Sequence, residues 1–446
     1  MSAVSGASAN NTGLGQGIDV SAFVTAALAG DQANITQVQS QKTAVDNQNK
    51  ALAQITAELQ ALQSAAFSLN DPLGSLSAQS ATSSNTNVLS ATASAAAISG
   101  THFVTVNSLA TTSSYYTNTV ASGSTTLATG SFTLQAGRGT PVSVTIDSTN
   151  NSLDKLSSSI NNLSAGIRAS VINDANGSRL ALVSETTGAP GDLAVSGNTT
   201  GLTFTKAVTG ANASLVVDGI PISSTSNTIT SAINGVTLNL VSPALGSAVN
   251  VTVTPDTSKA TDAINQFVSA YNTAIKDINT QFQVNADGTV GGPLNADGSV
   301  REAQGTLLSA IAYSLSGNNG IVNLASLGVN LNNDGTLSVD QTKLSSNLAS
   351  NYSAVQNFLQ SATTGFTNNF RNSLNSLISS GTGALSLDAQ GLSSTSQSLN
   401  QTISDLQSAL SIKQDNLILV YSQVNATLQE LPLLQAQLSQ QLGSIA

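Results

Sequence analysis

The sequence has no cysteine and no tryptophan, and only one methionine and one histidine among its 446 residues. Without cysteine there is no disulfide and no thiolate metal site. The lone histidine, His102, sits beside Phe103 in a strand-like run with no partner cluster for zinc. No nucleophile and base group around it, so it reads as structural. Charge is scarce too: 8% of residues are charged, against roughly 25% in an ordinary globular protein. Thirteen basic residues face 23 acidic ones, for a net charge of −10. That balance supplies no basic patch and excludes nucleic-acid binding. No run of eighteen apolar residues occurs, so no membrane-spanning helix is expected. The first thirty residues show no basic n-region and no apolar h-region. A secreted role is therefore expected to use export without a cleaved leader.

What is present is apolar, small and polar: 40% apolar residues, with Ser, Thr, Asn, Gln and Gly making up most of the rest. Small residues build modest cores, so several domains are expected. Residues 1–12 read as a disordered arm. From Asp31 to Leu69 the period is helical. Ile35, Val38, Val45 and Leu52 keep a 3-4 spacing, with Lys42 and Asn49 at seam positions. A three-residue step from Leu52 to Ile55 is a stammer, after which Leu59, Leu62, Ala66 and Leu69 continue the face. The helix is expected to stop at Asn70-Asp71-Pro72.

The other end mirrors this. Leu399, Ile403, Leu406, Leu410 and Leu417 hold heptad-like spacing through Val420, Val424 and Leu428, with Lys413 at one seam position. Pro432 is expected to kink or interrupt that helix. Two such segments pack together or with copies of themselves; an ordinary helical bundle is the alternative. Between them the texture is β-rich. Val88–Ser94 and Thr101–Leu109 alternate, and Gly130–Leu134 with Val142–Ile146 reads as a hairpin. A short helix at Leu153–Leu163 precedes strands at Ile167–Ile172 and Arg179–Val183. Short alternating runs fill 201–254, and helical periodicity returns after Pro255.

The fold class expected is therefore multidomain α+β, with long terminal coiled-coil or bundle helices enclosing an inserted β-rich head. The expected partition is a flexible arm and leg helix over 1–75 and the N-terminal part of a helical stalk domain over 76–100. A β-rich head over 101–200 and a second one over 201–254 follow. A helical stalk over 255–380 and C-terminal leg helices over 381–446 complete it.

Candidate chemistry is thin. Gly13 to Val20, GLGQGIDV, places three glycines before a helix. No strand precedes it and no lysine occurs before Lys42, so it matches neither phosphate fingerprint. It reads as a lead-in whose helix is capped by Asp19 or Ser21. Asn285-Ala286-Asp287-Gly288, Asn295-Ala296-Asp297-Gly298 and Asn332-Asn333-Asp334-Gly335 lack the twelve-residue calcium ladder and read as tight turns. Asp218 before Gly219 reads as turn chemistry. No catalytic constellation, metal site or cofactor site emerges, and the enzyme reading, a secreted hydrolase, has no acid pair to stand on.

Ordered motifs along nearly the whole chain resemble the flagellar filament cap proteins, the hook-associated protein 2 family. The opening Gly13 to Val20 resembles the family's start, ahead of a short helix and then a long one. Asn176-Gly177-Ser178-Arg179 to Ser184 resembles a head motif. Ser226-Asn227-Thr228-Ile229-Thr230 with Asn234-Gly235-Val236 is the most specific piece, and Phe267 to Tyr271 and Asn272 follow at the family's spacing. Gly328, then Asp334, Gly335 and Asp340, carry the last motif. Ser178 stands where relatives often have an aromatic residue.

The resemblance implies a structural protein, not an enzyme, and no cofactor. It implies a ring of copies, most often a pentamer, at the extracellular filament tip, retaining exported flagellin and promoting its folding and insertion. Flagellin, a cytoplasmic export chaperone, the flagellar type III export apparatus and the hook–filament junction protein are the implied partners, with no nucleic acid and no membrane insertion. Leu14, Ile18 and Val20 are then expected at the base of a leg, facing filament subunits. With so little charge, the apolar seam rather than ionic pairing is expected to set register. A surface adhesin with a β head on a coiled-coil stalk, active in cell adhesion, is the alternative.

Overall fold

The computed structural model describes residues 18–284, 288 and 291–443. The arm over 1–12, Leu14 with its neighbouring glycines, and most of the turn at Asn285-Ala286-Asp287-Gly288 lie outside the described residues. Helix α1 spans Val20–Asn70. Asp19 caps it: a carboxylate oxygen accepts the Ala22 amide at 3.1 Å and the Ser21 hydroxyl at 2.8 Å. Those two bonds hold the Asp19 carboxyl below its ordinary pKa. The expected short helix followed by a long one is instead one continuous helix through Gly30. A lone glycine costs roughly 1 kcal/mol in a helix interior. Burial of Val24, Leu28 and Ile35 on either side offsets that. Leu52, Ile55, Leu59, Leu62, Ala66 and Leu69 are all buried, so the stammer expected at Leu52 keeps the apolar line facing inward. The helix ends where Pro72 would have to lose an amide bond.

Strands β1 (Gln79–Ser83), β2 (Leu89–Ala93) and β3 (Gly100–Ser108) come next. Then follow β4 (Thr112–Thr117), β5 (Gly130–Ala136), β6 (Val142–Ile146), helix α2 (Leu153–Asn162), β7 (Ile167–Asp174), β8 (Gly177–Thr187), β9 (Leu193–Ser196) and β10 (Phe204–Val208). The β-rich region closes with β11 (Ala213–Val217), β12 (Ile220–Ser224), β13 (Thr228–Ile233), β14 (Val236–Leu240) and β15 (Val249–Pro255). Two cores form. One lies between a five-stranded sheet, β1-β15-β3-β11-β12, and a three-stranded sheet, β13-β14-β2. The other joins β10-β4-β8-β7, β6-β5-β9 and α2 around Phe132, Leu156 and Leu182. Ser152 caps α2, and Leu153, Leu156 and Ile160 form its buried face.

This pairing corrects the expected partition. The stretch 76–100 contributes β1 and β2 to the first core and is not helical stalk. The boundary at 200/201 does not separate two heads, because β3 pairs with both β11 and β15. The second core, β4 to β10, is inserted into the first. Alternation along a strand shows which face is buried but not which distant strand completes the sheet.

The chain then enters α3 (Thr257–Phe282), α4 (Gly298–Ile311), α5 (Leu324–Leu327), a hairpin of β16 (Val329–Leu331) and β17 (Leu337–Val339), α6 (Gln341–Ser350), α7 (Tyr352–Gln360) and α8 (Phe366–Ile378). Helix α9, Ala384–Gly443, is the last element. It passes through Pro432 without interruption, so of the kink or interruption expected there the interruption does not occur. An interior proline costs about 3 kcal/mol, which a helix of 60 residues carries without ending. One compact unit comprises the chain up to 67, with 265–343 and 357 onward; the other comprises Ser68–Ile264 and Leu344–Gln356.

Candidate functional site

In the helical unit the two terminal helices lie antiparallel. The Ile18 amide donates to Asn425 Oδ1 at 2.9 Å. Phe23 and Tyr421 place their rings 5.8 Å apart. Lys413 Nζ meets Asp31 Oδ2 at 2.7 Å, and the Ser396 hydroxyl meets Asp46 Oδ1 at 2.6 Å. The residue numbers of each pair add to between 442 and 444, as two antiparallel helices of equal rise require. Asp46 is also held by Lys42 at 2.7 Å. The Lys42 bond first, then Ser396, lowers the Asp46 pKa. Of the three polar seam positions noted in the sequence, Lys413 reaches across the pair to Asp31, and Lys42 holds, within α1, the Asp46 carboxylate that the Ser396 hydroxyl meets from α9. Register is not set by the apolar seam alone.

Burial along the pair is unequal. Leu52, Leu59 and Leu62 are fully buried, and Ile35 nearly so, while Val38 and Val20 are half-buried. On α9 Ile403 is buried, whereas Leu399, Leu406, Leu410 and Leu417 are half-buried. Ile35, Leu406 and Leu410 line one small cavity of about 90 Å³, so the seam does bring them together. Gln63 Nε2 reaches Asn375 Oδ1 on α8 at 2.7 Å and ties the deep end of α1 into the bundle. Farther along α9 an apolar stripe faces outward. Ile412, Val420, Val424, Leu431, Leu434, Leu438 and Leu442 are all more than 40% exposed. Shallow grooves of about 380 Å³ run along it, one lined by Ile412, Leu417 and Val420, the other by Leu431, Leu434 and Leu438. From Asn416 to Ala446 the only charged residue is Glu430. A long, exposed apolar face of this kind marks an interaction surface.

The motif residues of the middle region do a different job. The Asn227 amide accepts the Ala110 N–H at 2.7 Å and donates to the Ala110 carbonyl at 3.0 Å. The Asn272 amide does the same with Leu337, at 2.7 and 2.8 Å, and so docks β17 on α3. Only a side-chain amide offers one donor and one acceptor in that geometry. Gly235 has φ +72°, and a Cβ there would stand 2.5 Å from the Ala97 backbone nitrogen. Gly328 ends α5 in the left-handed conformation, and its carbonyl accepts the Asp340 amide at 2.8 Å. Asp334 Oδ1 accepts the amide and hydroxyl of Thr336 across the turn that holds Gly335. Those Thr336 bonds keep the Asp334 pKa low. Phe267 packs edge-on to Phe366 and Phe370, at 5.7 and 5.2 Å. Tyr271 is wholly buried, and burial pushes its phenol well above the ordinary value.

On β8, Arg179 lies 5.8 Å from the Tyr116 ring and 3.8 Å from Asp174. Ser178, the departure noted in the sequence, is 3% exposed with its hydroxyl on Asn173 Oδ1. His102 Nδ1 lies 2.7 Å from Asp218 Oδ2, and Asp218 Oδ1 accepts the Phe103 amide at 2.8 Å. The His102 bond is the largest influence lowering the Asp218 pKa. The His102 and Asp218 contacts fix the turn between β11 and β12 against β3. The contacts that sequence reasoning missed, Asp31, Asp46, Ser396, Tyr421 and Asn425, are single polar or aromatic residues. Only the constant sum of paired positions identifies them.

Two family models match the chain: Flagellar hook-associated protein 2 N-terminus over residues 16–113 and Flagellar hook-associated protein 2 C-terminus over residues 210–431. B-type flagellar hook-associated protein 2 of Pseudomonas aeruginosa is 32% identical over 342 residues, covering 69% of this chain and 71% of that protein. Flagellar hook-associated protein 2 of Escherichia coli K12 is 29% identical over 418 residues, 87% of this chain and 88% of the relative. The crystal structure of the D1-D2-D3 domains of the Escherichia coli flagellar cap protein FliD aligns with a TM-score of 0.57 at 30% identity. That alignment covers 77% of this chain and 99% of that one. The stalked-adhesin alternative finds no support among these relatives.

Proposed function

The chain belongs to the flagellar hook-associated protein 2 family, and from that premise we propose how its parts divide the work of a cap. It is a structural protein of the extracellular flagellum, a cap at the filament tip. Copies of the chain close into a ring, a pentamer, that retains exported flagellin and lets it fold and insert beneath. The β-rich unit forms the plate of the ring. The paired α1 and α9 form a leg that holds filament subunits. The chain reaches the tip unfolded through the flagellar type III apparatus after release from a cytoplasmic chaperone, and it first assembles on the hook–filament junction protein.

One observation carries the leg assignment: α9 continues past Asn425, which accepts the Ile18 amide just ahead of α1, and among the described residues its outward face stays apolar and almost uncharged. Burial of apolar area is non-directional. It suits a grip that must release and re-form as each subunit is added. The test is filament elongation in cells lacking their own cap protein, with Leu406 and Leu410 both changed to Asp. Two charges in the α1–α9 seam should abolish elongation and spill flagellin into the medium. Filaments of normal length would contradict the assignment.

A further inference from the structure

At the start of α9 a single hydroxyl stands between two carboxylates. Ser299 Oγ lies 2.7 Å from Asp297 Oδ1 and 2.9 Å from Asp388 Oδ2. A serine hydroxyl has one proton to donate. If both carboxylates were ionised, one of these two contacts would bring two lone pairs together with no hydrogen between them. A second proton is needed, and the surroundings say where it resides. Asp297 is the N-cap of α4, and the same Oδ1 also accepts the Ser299 and Val300 amides, at 2.8 and 3.2 Å. Those donors and the positive end of the α4 dipole favour charge on Asp297. Among the described residues no backbone amide donates to the Asp388 carboxyl. We propose that Asp388 holds the proton and donates it to Ser299, making a proton-dependent latch between the cap of α4 and the first turns of the terminal helix α9.

The electrostatics agree with the hydrogen count. Burial raises the Asp388 pKa, and the Asp297 carboxylate raises it further. Burial also pushes Asp297 upward, but the Ser299 hydroxyl, Asp388 and the two backbone amides outweigh it and leave that pKa low. The other elements beside this part of α9 are α8, whose only charged side chain is Arg371, and α1, whose register with α9 brings the stretch that carries Lys50 and Glu58 alongside. Among the described residues no ion pair joins Arg371 to Asp388. Within α4, Glu302 lies one turn on, and Arg301 is turned over the Phe282 ring at 4.6 Å. Among the described residues no ion pair, with Arg371, Lys50 or any other cation, holds Asp388 ionised.

The sign follows from linkage. An acid whose folded pKa is raised binds more protons folded than unfolded, so stability falls as pH rises from the ordinary carboxylate value through the raised one. Asp297 runs the other way: its contribution is present above the ordinary value and is lost as pH falls through its lowered one. Between those limits the pair holds one proton and the latch is closed. Above the raised Asp388 pKa the two charges face each other and the base of α9 loosens.

The test compares the full wild-type chain with Asp388→Asn and Ser299→Ala by thermal unfolding from pH 4 to 9. An asparagine donates to Ser299 at every pH. The midpoint of Asp388→Asn should therefore match wild type near pH 5 and exceed it by several degrees at pH 8, whereas Ser299→Ala, which leaves burial and the Asp297 carboxylate in place, should keep the wild-type decline from a lower starting midpoint. For Asp388→Asn, a constant difference across the range, or none, would overturn the latch. Infrared difference spectra between wild type and Asp388→Asn at pH 6 give a second readout, independent of stability. A protonated-carboxyl band lost in the variant supports the assignment; ionised carboxylate bands in its place overturn it. Calcium that raises the wild-type midpoint at pH 8, but not that of Asp388→Asn, would show a shared cation instead of a shared proton and would also overturn it.

Discussion

Leu434 and Leu438 are 55% and 61% exposed on α9, whereas Leu406 and Leu410 are half-buried against Ile35. The two pairs therefore separate folding from gripping. Changing Leu434 and Leu438 to Ala removes little that the isolated chain buries, so its stability should stay within about 0.5 kcal/mol of wild type. Full burial of a leucine side chain contributes about 1.5–3 kcal/mol. Roughly half of that remains to be gained when a partner covers each residue, or about 1 kcal/mol per leucine. Loss of both should weaken each leg's hold by about 2 kcal/mol, a factor of roughly 30. The seam pair behaves differently. A fully buried Leu→Ala change costs about 2–5 kcal/mol, so half-buried Leu406 and Leu410 should cost about 1–2 kcal/mol each in the folded chain itself. The assay is urea unfolding of both purified variants, beside filament length and flagellin leakage in cells. Stable protein with short filaments is expected for the 434/438 variant, and destabilised protein for the 406/410 variant. The reasoning fails if the 434/438 variant elongates normally, or if it loses as much stability as the seam variant.

Two further outcomes probe the scaffold. Asn272→Asp keeps the acceptor for the Leu337 amide but turns the donor to the Leu337 carbonyl into a repelling oxygen. It should destabilise the helical unit by about 1–3 kcal/mol at pH 7, with the defect shrinking in acid as the new carboxyl regains a proton; chemical denaturation at pH 7 and pH 4 reads both. A double-mutant cycle on Asp31 and Lys413, which are 39% and 53% exposed, should return a coupling of about 0.2–1 kcal/mol that fades in 1 M salt.

The terminal helices were legible because their signal is local and repeated. Leu52 through Leu69 show their periodicity without reference to anything distant, and all are buried as that periodicity requires. Individual strands were legible for the same reason, as with the hairpin of β5 and β6. The nesting of the two β cores was not, because the pairing of β3 with β15 joins segments about 150 residues apart and no alternation encodes a partner. The short helix ahead of a long one, implied by the resemblance, gave way to one helix through Gly30, and α9 is not interrupted at Pro432. Each of the two residues carries a local penalty of a few kcal/mol or less, and burial of the long helices around Val24, Leu28 and Ile35 or sheer helix length outweighs it. The latch was hidden because Asp297 and Asp388 are 91 positions apart and meet around one serine hydroxyl. The turn reading of Asp297 was nearly right: its side chain does cap the backbone, but at the start of a helix.

The absence of cysteine makes the central claim directly accessible. A single Leu434→Cys change places the only thiol of the chain on the outward face of α9. Carrying a short photo-crosslinker there, the protein should be captured on intact filaments as a one-to-one adduct with flagellin. Adducts only between copies of the chain, or none at all while filaments elongate normally, would show that this face does not grip the filament.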